Sequence, residues 1–254
     1  MALTRSPSIE SLPENIVVEI FHYLSTKDLC RIARVCSQWR RIANDKTLWK
    51  HVDLSDYKIN LPNMWKLMRA HFSEAVLTVK MRGFLDSGPK KKKPSFSEAA
   101  LKDMRERCPN VRELHIILSN LEDVNLKRSP LPSSLTLLNL SKCIFPAEWY
   151  PEIVSQLPKL THLILQGCKV NNTHLKEICK AKTLKSLDLH GCYRINDDGI
   201  NTVAKSLPNL EELIITGCIY SDEGLHHVSC NLKKLKLFKG NSESENFLLF
   251  CKQH

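Results

Sequence analysis

The sequence predicts an α/β fold in which a short helical unit is joined to a curved solenoid of stacked repeats. Two observations lead to this prediction. Most of the chain after residue 50 repeats one apolar pattern with a period in the twenties, which is typical of stacked strand-and-helix units. Residues 11–50 instead place apolar side chains three and four residues apart, as amphipathic helices do. We expect parallel strands on the concave face of the solenoid and helices on its convex face.

The repeat is defined by leucines and cysteines. Each clear copy is apolar at relative positions 1, 4 and 6 and has cysteine at position 9, and the first positions lie 25, 24 and 26 residues apart. Positions 4 and 6 point to the same face of a strand because side chains alternate. At position 9 the chain turns inward, where a weak thiol donor can meet loop carbonyls. This is the pattern of a leucine-rich repeat (LRR). The clear copies are Leu135-Leu138-Leu140-Cys143, Leu160-Leu163-Leu165-Cys168, Leu184-Leu187-Leu189-Cys192 and Leu210-Leu213-Ile215-Cys218.

Weaker copies extend the ladder at both ends, and at least three repeats are needed for a stacked core. They are Val111-Leu114-Ile116, Leu232-Leu235-Leu237, Leu77-Val79 and Trp49-Val52-Leu54. Between Leu77 and Val111 the register is stretched, and the surplus at 83–95 contains the run Lys90–Lys93 between two prolines. We predict a protruding loop, because such charge is not buried. It is either a solvated insertion or a signal for import or for an acidic partner.

The charge is concentrated rather than spread over the chain. The formal net charge is +10, and residues 56–110 hold 12 basic and 6 acidic residues. A nucleic-acid-binding protein typically presents a broad basic face, so nucleic acid is not an expected partner. A basic nuclear protein that uses Lys90–Lys93 on nucleic acid is the weakest alternative. No segment approaches 18 consecutive apolar residues, and no membrane span is expected.

The ten cysteines contain no C-x-x-C pair, and the first fifteen residues lack the apolar region of a secretory signal. We therefore expect reduced thiols used in packing, a cytoplasmic or nuclear location, and neither a metal nor a cofactor.

The N-terminal unit is predicted to contain three helices, started near Ser11, at Ser25 or Thr26, and at Ser37. About forty residues rarely bury enough surface to be stable alone. The helices are apolar on more than one face, which indicates either a partner site or packing on the first repeat. Residues 56–72 are predicted to form a further helix. The domain boundaries expected are a flexible 1–10, the helical unit 11–50, the repeats 51–240, and a tail or cap 241–254.

Residues 11–50 resemble the F-box motif in order, spacing and residue type. The matching residues are Leu12-Pro13-Glu14, Ile20-Phe21, Leu24, Asp28-Leu29, Val35-Cys36, Trp39 and Leu48-Trp49. With the cysteine-type repeats that follow, the chain is similar to the F-box/LRR family. The segments 48–54, 64–65 and 81–88 resemble one member of that family in particular.

The resemblance implies a substrate-recognition subunit of a Skp1–cullin–F-box (SCF) ubiquitin ligase, which binds Skp1, and through it a cullin–RING scaffold, by its F-box. The positions that would form or support the Skp1 surface are Leu12, Pro13, Ile16, Ile20, Leu24, Leu29, Val35 and Trp39. The alternative is a non-ligase LRR scaffold or inhibitor whose N-terminal helices only cap the solenoid.

In an LRR strand, the residues between the inward leucines face the concave surface. Positions 5 and 7 mix apolar and polar side chains, as protein-binding surfaces do. Catalysis is not expected: Asp188 and His190 could touch, but the inward cysteines leave no nucleophile beside them. The predicted substrate-binding residues are His115, Asn139, Ile164, Gln166, Asp188, His190, Ile214, Thr216, Lys236 and Phe238.

Overall fold

The structure, a computed structural model, describes Ile9 and residues 12–58, 60–83 and 96–242. The predictions for Ser11, for the loop with Lys90–Lys93 and for the tail beyond residue 242 lie outside these residues. No helix in the described ranges is long and apolar enough to cross a bilayer.

Eight strands form one parallel sheet, and their order in the sheet is their order in the chain. Such an order means that each unit pairs only with its neighbours along the chain, which is the property of a solenoid. The α/β fold predicted from the repeat is therefore confirmed. The strands are β1 His51–Lys58, β2 Thr78–Arg82, β3 Glu113–Ile117, β4 Leu137–Asn139, β5 His162–Ile164, β6 Ser186–Asp188, β7 Glu212–Ile214 and β8 Leu237–Lys239.

Three helices precede the sheet and six connect its strands among the described residues. The first three are α1 Glu14–Phe21, α2 Thr26–Ile32 and α3 Ser37–Ala43, followed by a 3₁₀ turn at Lys46–Trp49. Ser25 caps α2 as predicted, its hydroxyl accepting from the Asp28 N–H. The others are α4 Leu61–His71, α5 Glu98–Arg107, α6 Trp149–Gln156, α7 Asn172–Ile178, α8 Asp197–Ser206 and α9 Asp222–Asn231.

The predicted helix at 56–72 is shorter than expected. Strand β1 continues to Lys58, and the helix starts only after Asn60, whose side-chain oxygen accepts a hydrogen bond from the Asn63 N–H. Asparagine at this position satisfies one of the free N–H groups at a helix start.

An irregular segment takes the place of a helix between β3 and β4. All of residues 118–136 are described, and they contain no helix. Leu121, Val124 and Leu126 are nevertheless buried. The Trp149 indole of α6 donates to the Val124 carbonyl at 2.9 Å. Residue Gln156 donates to the Leu126 carbonyl at 3.1 Å. Side chains of the next repeat thus satisfy backbone groups that a helix would satisfy itself.

The strand register confirms the clear repeats and corrects two weak ones. Position 4 runs across the sheet through Val79, Leu114, Leu138 and Leu163. The β2 repeat therefore begins at Val76 and places Met81, not Val79, at position 6. The prediction that Leu77 and Val79 are the inward pair was wrong by two residues.

The last repeat is also displaced. Phe238 pairs with Leu213, so that Leu235 and Phe238 occupy positions 1 and 4, and the predicted register from Leu232 was wrong by three residues. Leu232 is buried, but it is the residue that ends α9.

Strands β3 to β7 are followed by the same kind of turn. Position 8 has a positive φ in five consecutive repeats, and the residue there is glycine in the last three of them, Gly167, Gly191 and Gly217. At Gly217 a Cβ would lie 3.2 Å from the backbone of Gly191, so the close approach of the two turns also favours glycine. The buried thiol at position 9 then donates to the position 6 carbonyl of the preceding repeat, as from Cys168 to Leu140 at 3.0 Å. The inward role predicted for these cysteines is confirmed.

Candidate functional site

The outer face of α1 is an exposed apolar stripe. Leu12, Ile16 and Ile20 are 36%, 42% and 39% exposed, although Val17 and Phe21 of the same segment are buried. The helical spacing therefore sends one set of side chains inward and leaves a second set in water. Exposed apolar groups arranged in this way indicate a protein-interaction surface. We call Leu12, Ile16 and Ile20 the α1 stripe.

The inward set holds the three helices together. The Phe21 ring meets the Trp39 ring edge to face, with centroids 5.5 Å apart. Arg41 of α3 forms an ion pair with Glu14 at the start of α1. These contacts fix α1 against α3, so the α1 stripe is presented on a packed support.

The other predicted Skp1-binding residues fall into three classes. Pro13 and Val35 are exposed, and Leu24 and Trp39 are half-buried. Leu29, by contrast, is only 3% exposed. Leu29 can therefore support the surface from the core, as the prediction allows, but it exposes little area for direct contact with a partner.

Sequence reasoning missed Tyr23, which is 91% exposed just after α1. A tyrosine so fully in water is notable because aromatic side chains are enriched at interfaces. The sequence indicated this exposure only weakly, because Tyr23 follows the end of α1 and helical spacing does not assign it to a face of the helix.

The concave strip consists of the residues at positions 5 and 7 of the strands. At position 5 the register aligns His115, Asn139, Ile164, Asp188 and Ile214 in adjacent strands. All five side chains are half-buried. The sheet thus places Ile164 on one side of the Asp188 carboxylate and Ile214 on the other, within one continuous row.

Neighbouring side chains order the polar part of this strip. The Asn139 amide nitrogen lies 3.2 Å from His115 Nδ1, and its amide oxygen accepts from both the N–H and the hydroxyl of Ser141. Burial, followed by the charge of Lys80, lowers the pKa of His115. Its Nε2 is buried and has no hydrogen-bond partner in the described parts of the chain. The imidazole is therefore a neutral group at pH 7.

Asp188 contacts His190 through the backbone. The Asp188 carboxylate accepts a hydrogen bond from the backbone N–H of His190 at 2.8 Å. This bond belongs to a local turn and does not involve the imidazole. Gln166 and Thr216 hold position 7 of their repeats, two residues after the ends of β5 and β7, and are half-buried. The position 9 thiols face the core, and burial raises the pKa of Cys192 to about 12.

One cysteine–histidine pair is exposed on the convex face. Cys230 Sγ lies 3.5 Å from His226 Nε2 on α9. No carboxylate contacts His226 in the described part of the molecule, since Glu223 approaches His227 instead. The pair lacks the third group that orients the base in a nucleophilic site.

The shifted last repeat changes two predicted substrate-binding residues. Phe238 is 7% exposed and points into the core, so its assignment to the binding surface was wrong. Lys236 lies at position 2 rather than 5, and its Nζ contacts Glu211 at 2.5 Å. Lys239 occupies the place opposite Ile214 and extends the strip instead.

The strip also continues further toward the N-terminus than predicted. Asp53 and Lys80 pair across β1 and β2, with Nζ 3.6 Å from the carboxylate. Beside them, His51 Nδ1 lies 3.0 Å from the Thr78 hydroxyl, which donates to Glu113. The β1–β2 end of the concave strip thus carries charged side chains at position 5, whereas β5 and β7 carry Ile164 and Ile214 there. The spacing Val76-Val79-Met81 was the sequence signal that would have revealed these positions.

Two family models match the chain, F-box-like over residues 9–55 and Zer-1-like leucine-rich repeats over residues 125–236. F-box/LRR-repeat protein 12 of Homo sapiens is 32% identical over 233 residues, which are 90% of this chain and 70% of that protein. The chain belongs to the F-box/LRR-repeat family. The Mus musculus F-box/LRR-repeat protein 12 is 31% identical and covers 93% of the chain and 74% of its own length. F-box/LRR-repeat protein 5 of Danio rerio is 24% identical over 79% of the chain.

Membership of the F-box/LRR-repeat family confirms the resemblance predicted from Leu12-Pro13-Glu14 and the cysteine repeats. The α1 stripe and the concave strip are therefore the two candidate surfaces of an adaptor-type protein. They lie on different elements, so one chain presents two separate sites for protein partners.

Proposed function

We propose that this protein is the substrate-recognition subunit of an SCF ubiquitin ligase. It binds Skp1 through its F-box and holds a protein substrate on the concave face of the repeats. The observation that carries this proposal is the α1 stripe: Leu12 just before the helix and Ile16 and Ile20 on it are left in water, whereas Val17 and Phe21 of the helix are packed. Burying the stripe against a partner removes apolar surface from water, which is the main driving force of stable association.

In this proposal the chain acts by bringing the substrate close to the ubiquitin-charged enzyme. Skp1 connects it to a cullin–RING scaffold that carries the ubiquitin-charged enzyme, and the concave strip holds substrate lysines near that enzyme. The gain is in effective concentration, which is a recognised source of rate acceleration. No step of bond making is assigned to this chain, and the turn-bound Asp188 and the inward thiols support that assignment.

A cytoplasmic or nuclear location forms part of the proposal. The position 9 thiols each donate to a backbone carbonyl, as from Cys143 to Ile116 at 3.0 Å. That arrangement uses the thiol hydrogen, so it suits a compartment that keeps cysteines reduced.

The test is co-expression with Skp1, followed by size-exclusion chromatography. We expect a stoichiometric complex for the wild-type chain and none for Leu12→Asp with Ile20→Asp, because two buried carboxylates would face an apolar partner. The matched control is Asn15→Asp with His22→Asp, which places two carboxylates on the exposed, lateral side of the same helix.

Two results would overturn the proposal. One is a wild-type chain that is folded by circular dichroism but elutes apart from Skp1, which would favour the solenoid capped by its own helices. The other is a stripe variant that still binds Skp1 as tightly as the control variant does.

A further inference from the structure

A pocket lies at the edge of the solenoid where β4, β5 and β6 end, away from both surfaces described above. Its volume is about 170 Å³. Ile144, Phe145 and Tyr150 form its apolar wall, and the His174 ring continues that wall. Lys169 and Arg194 stand at its mouth, and both side chains are exposed. Three successive repeats therefore contribute to one concavity.

The walls of the pocket are held in place by neighbouring groups. The Tyr150 and His174 rings are stacked with centroids 4.3 Å apart, and the Phe145 ring lies 5.4 Å from Tyr150. His174 accepts the Asn171 N–H in a reciprocal capping box at the start of α7. A pocket formed in advance loses little entropy when it is filled, and this favours binding.

The charge at the mouth has one sign. Neither Lys169 nor Arg194 belongs to an ion pair within the described ranges, and no carboxylate is among the residues found to line the pocket. Burial lowers the pKa of His174, so its ring serves as an uncharged wall at pH 7. The Arg194 guanidinium lies over the Tyr193 ring, with Cζ 5.7 Å from the ring centroid. The pocket therefore offers an apolar interior below two cations that have no carboxylate partner in the described ranges.

The size of the pocket restricts what it can hold. Small-molecule sites typically enclose about 300–1,000 Å³, so this pocket has room for one side chain rather than for a cofactor. An aromatic side chain matches the walls formed by Phe145, Tyr150 and His174, because rings pack well against rings. Carboxylates beside that side chain would complement Lys169 and Arg194.

We propose that this pocket is a docking site for an acidic peptide segment, which inserts one aromatic side chain and places neighbouring Asp or Glu carboxylates on Lys169 and Arg194. A phosphopeptide is the alternative outcome of the test, because a guanidinium and an ammonium group bind phosphate as well as carboxylate. The inference rests on the proposed function only for the origin of the peptide, which would be part of a substrate.

The test measures fluorescence anisotropy with a labelled, end-blocked peptide that contains one Phe between pairs of Asp and Glu. The protein is the full chain, measured alone and as its Skp1 complex. We expect Lys169→Glu with Arg194→Glu to weaken binding roughly tenfold or more, since close charge pairs of this kind become repulsive. Replacing the peptide Phe by Gly should weaken binding by a similar factor.

The matched control is Lys159→Glu with Lys176→Glu. Both lysines are exposed and lie outside the pocket. The control changes net charge equally, and we expect its affinity to stay within about twofold of wild type because exposed charges act weakly at a distance. Equal losses in the two double variants would overturn the site, as would failure of the wild-type chain to bind the peptide.

A third peptide, with phosphoserine in place of the Asp and Glu residues, shows whether the pocket prefers phosphate or carboxylate groups. Tighter binding of this peptide would replace the acidic-peptide proposal by a phosphopeptide one. Skp1 association is read out independently by co-elution, so a chain that binds the peptide but not Skp1 would refute the SCF function and leave the pocket standing.

Discussion

The indole of Trp49 lies parallel to the imidazole of His71, with ring centroids 3.6 Å apart. Trp49 holds position 1 of the first repeat, and its Nε1 donates to the Ala43 carbonyl of α3 at 2.7 Å. His71 is the last residue of α4. The stacked pair is therefore one contact that joins the F-box helices to the solenoid, together with the hydrogen bond from the Asp53 N–H to the Thr26 hydroxyl at 3.2 Å.

We expect Trp49→Ala to destabilise the whole protein. Truncating a buried Trp costs about 3–5 kcal/mol in a typical core, and here it also leaves the Ala43 carbonyl without its donor. The free energy of unfolding in urea, followed by circular dichroism, measures the effect. Trp65→Ala, at a half-buried position of α4, is the control and should cost clearly less. Equal costs for both variants would show that the stack has no special role.

Stability should fall as the pH drops from about 6.5 to 4. Burial lowers the pKa of His71 to about 4, and its Nδ1 has no hydrogen-bond partner in the described part of the chain. Within this window the unfolded chain binds a proton that the folded chain does not, so acid favours unfolding. Because His71 is only partly buried, we expect a loss of about 1–2 kcal/mol.

The variant His71→Phe isolates this contribution. It keeps an aromatic ring beside Trp49 but cannot take up a proton. The difference in unfolding free energy between wild type and variant should therefore change with pH between 6.5 and 4, while other histidines cancel in the subtraction. A difference that is constant across these pH values would refute the assignment to His71.

Cysteine reactivity should follow the repeat. Burial raises the pKa of Cys168 to about 11 and that of Cys192 to about 12. Since the thiolate is the nucleophile, these thiols should resist iodoacetamide at pH 8, whereas exposed Cys36 and Cys230 should react. Peptide mass spectrometry measures each site, and chain denatured in urea is the control in which all should react. Labelling of native Cys192 as fast as Cys36 would contradict the inward thiol geometry.

Gly224→Ala should destabilise the protein although alanine is the better helix former. A Cβ at Gly224 would lie 2.4 Å from Asp197 Oδ1, which accepts the Ser221 N–H at 2.9 Å and so links two repeats. We expect a loss of about 1–3 kcal/mol from this overpacking instead of the gain of about 1 kcal/mol that helix propensity predicts. Thermal and urea unfolding measure the effect. His226→Ala on the same helix is the control, and a more stable Gly224→Ala would refute the argument.

Substrate capture should depend on the apolar part of the concave strip. Ile164→Asp with Ile214→Asp should reduce substrate recovery roughly tenfold or more, because apolar anchors dominate interface energy, and should leave Skp1 binding unchanged. Quantitative mass spectrometry of proteins that co-purify from cells measures the effect. Thr173→Asp with His226→Asp, both exposed on the convex helices, is the matched control. Recovery that is equal in the two variants would remove the strip from substrate binding.

The sequence predicted the architecture well because the repeat period and the pattern of buried residues have the same cause. Leucines recur at positions 1, 4 and 6 because each repeat must cover the apolar side chains of its neighbour. Stacking of successive repeats in this way makes the strand order in the sheet equal to the order in the chain. The register failed at Leu77 and at Leu232 for a different reason. Both segments contain a second set of apolar residues two or three places away, and only strand pairing with Leu114 or Leu213 distinguishes the sets.

The sites were predictable only in part. Helical spacing located Ile16 and Ile20, but it could not separate them from Leu29, because the F-box pattern includes both exposed and buried positions. The edge pocket was not predicted, since Phe145, Tyr150 and His174 lie 20 residues or more from Arg194 in the sequence and come from different repeats. Only stacking brings them together.

The irregular segment between β3 and β4 depends for its backbone hydrogen bonds on residues that come later in the chain. A helix can form its own hydrogen bonds before it is packed, but the carbonyls of Val124 and Leu126 depend on Trp149 and Gln156, which come later in the chain. During synthesis, these two carbonyls can gain their native partners only after α6 has emerged. The repeat that contains β3 is thus completed by side chains of the repeat that follows it in the chain.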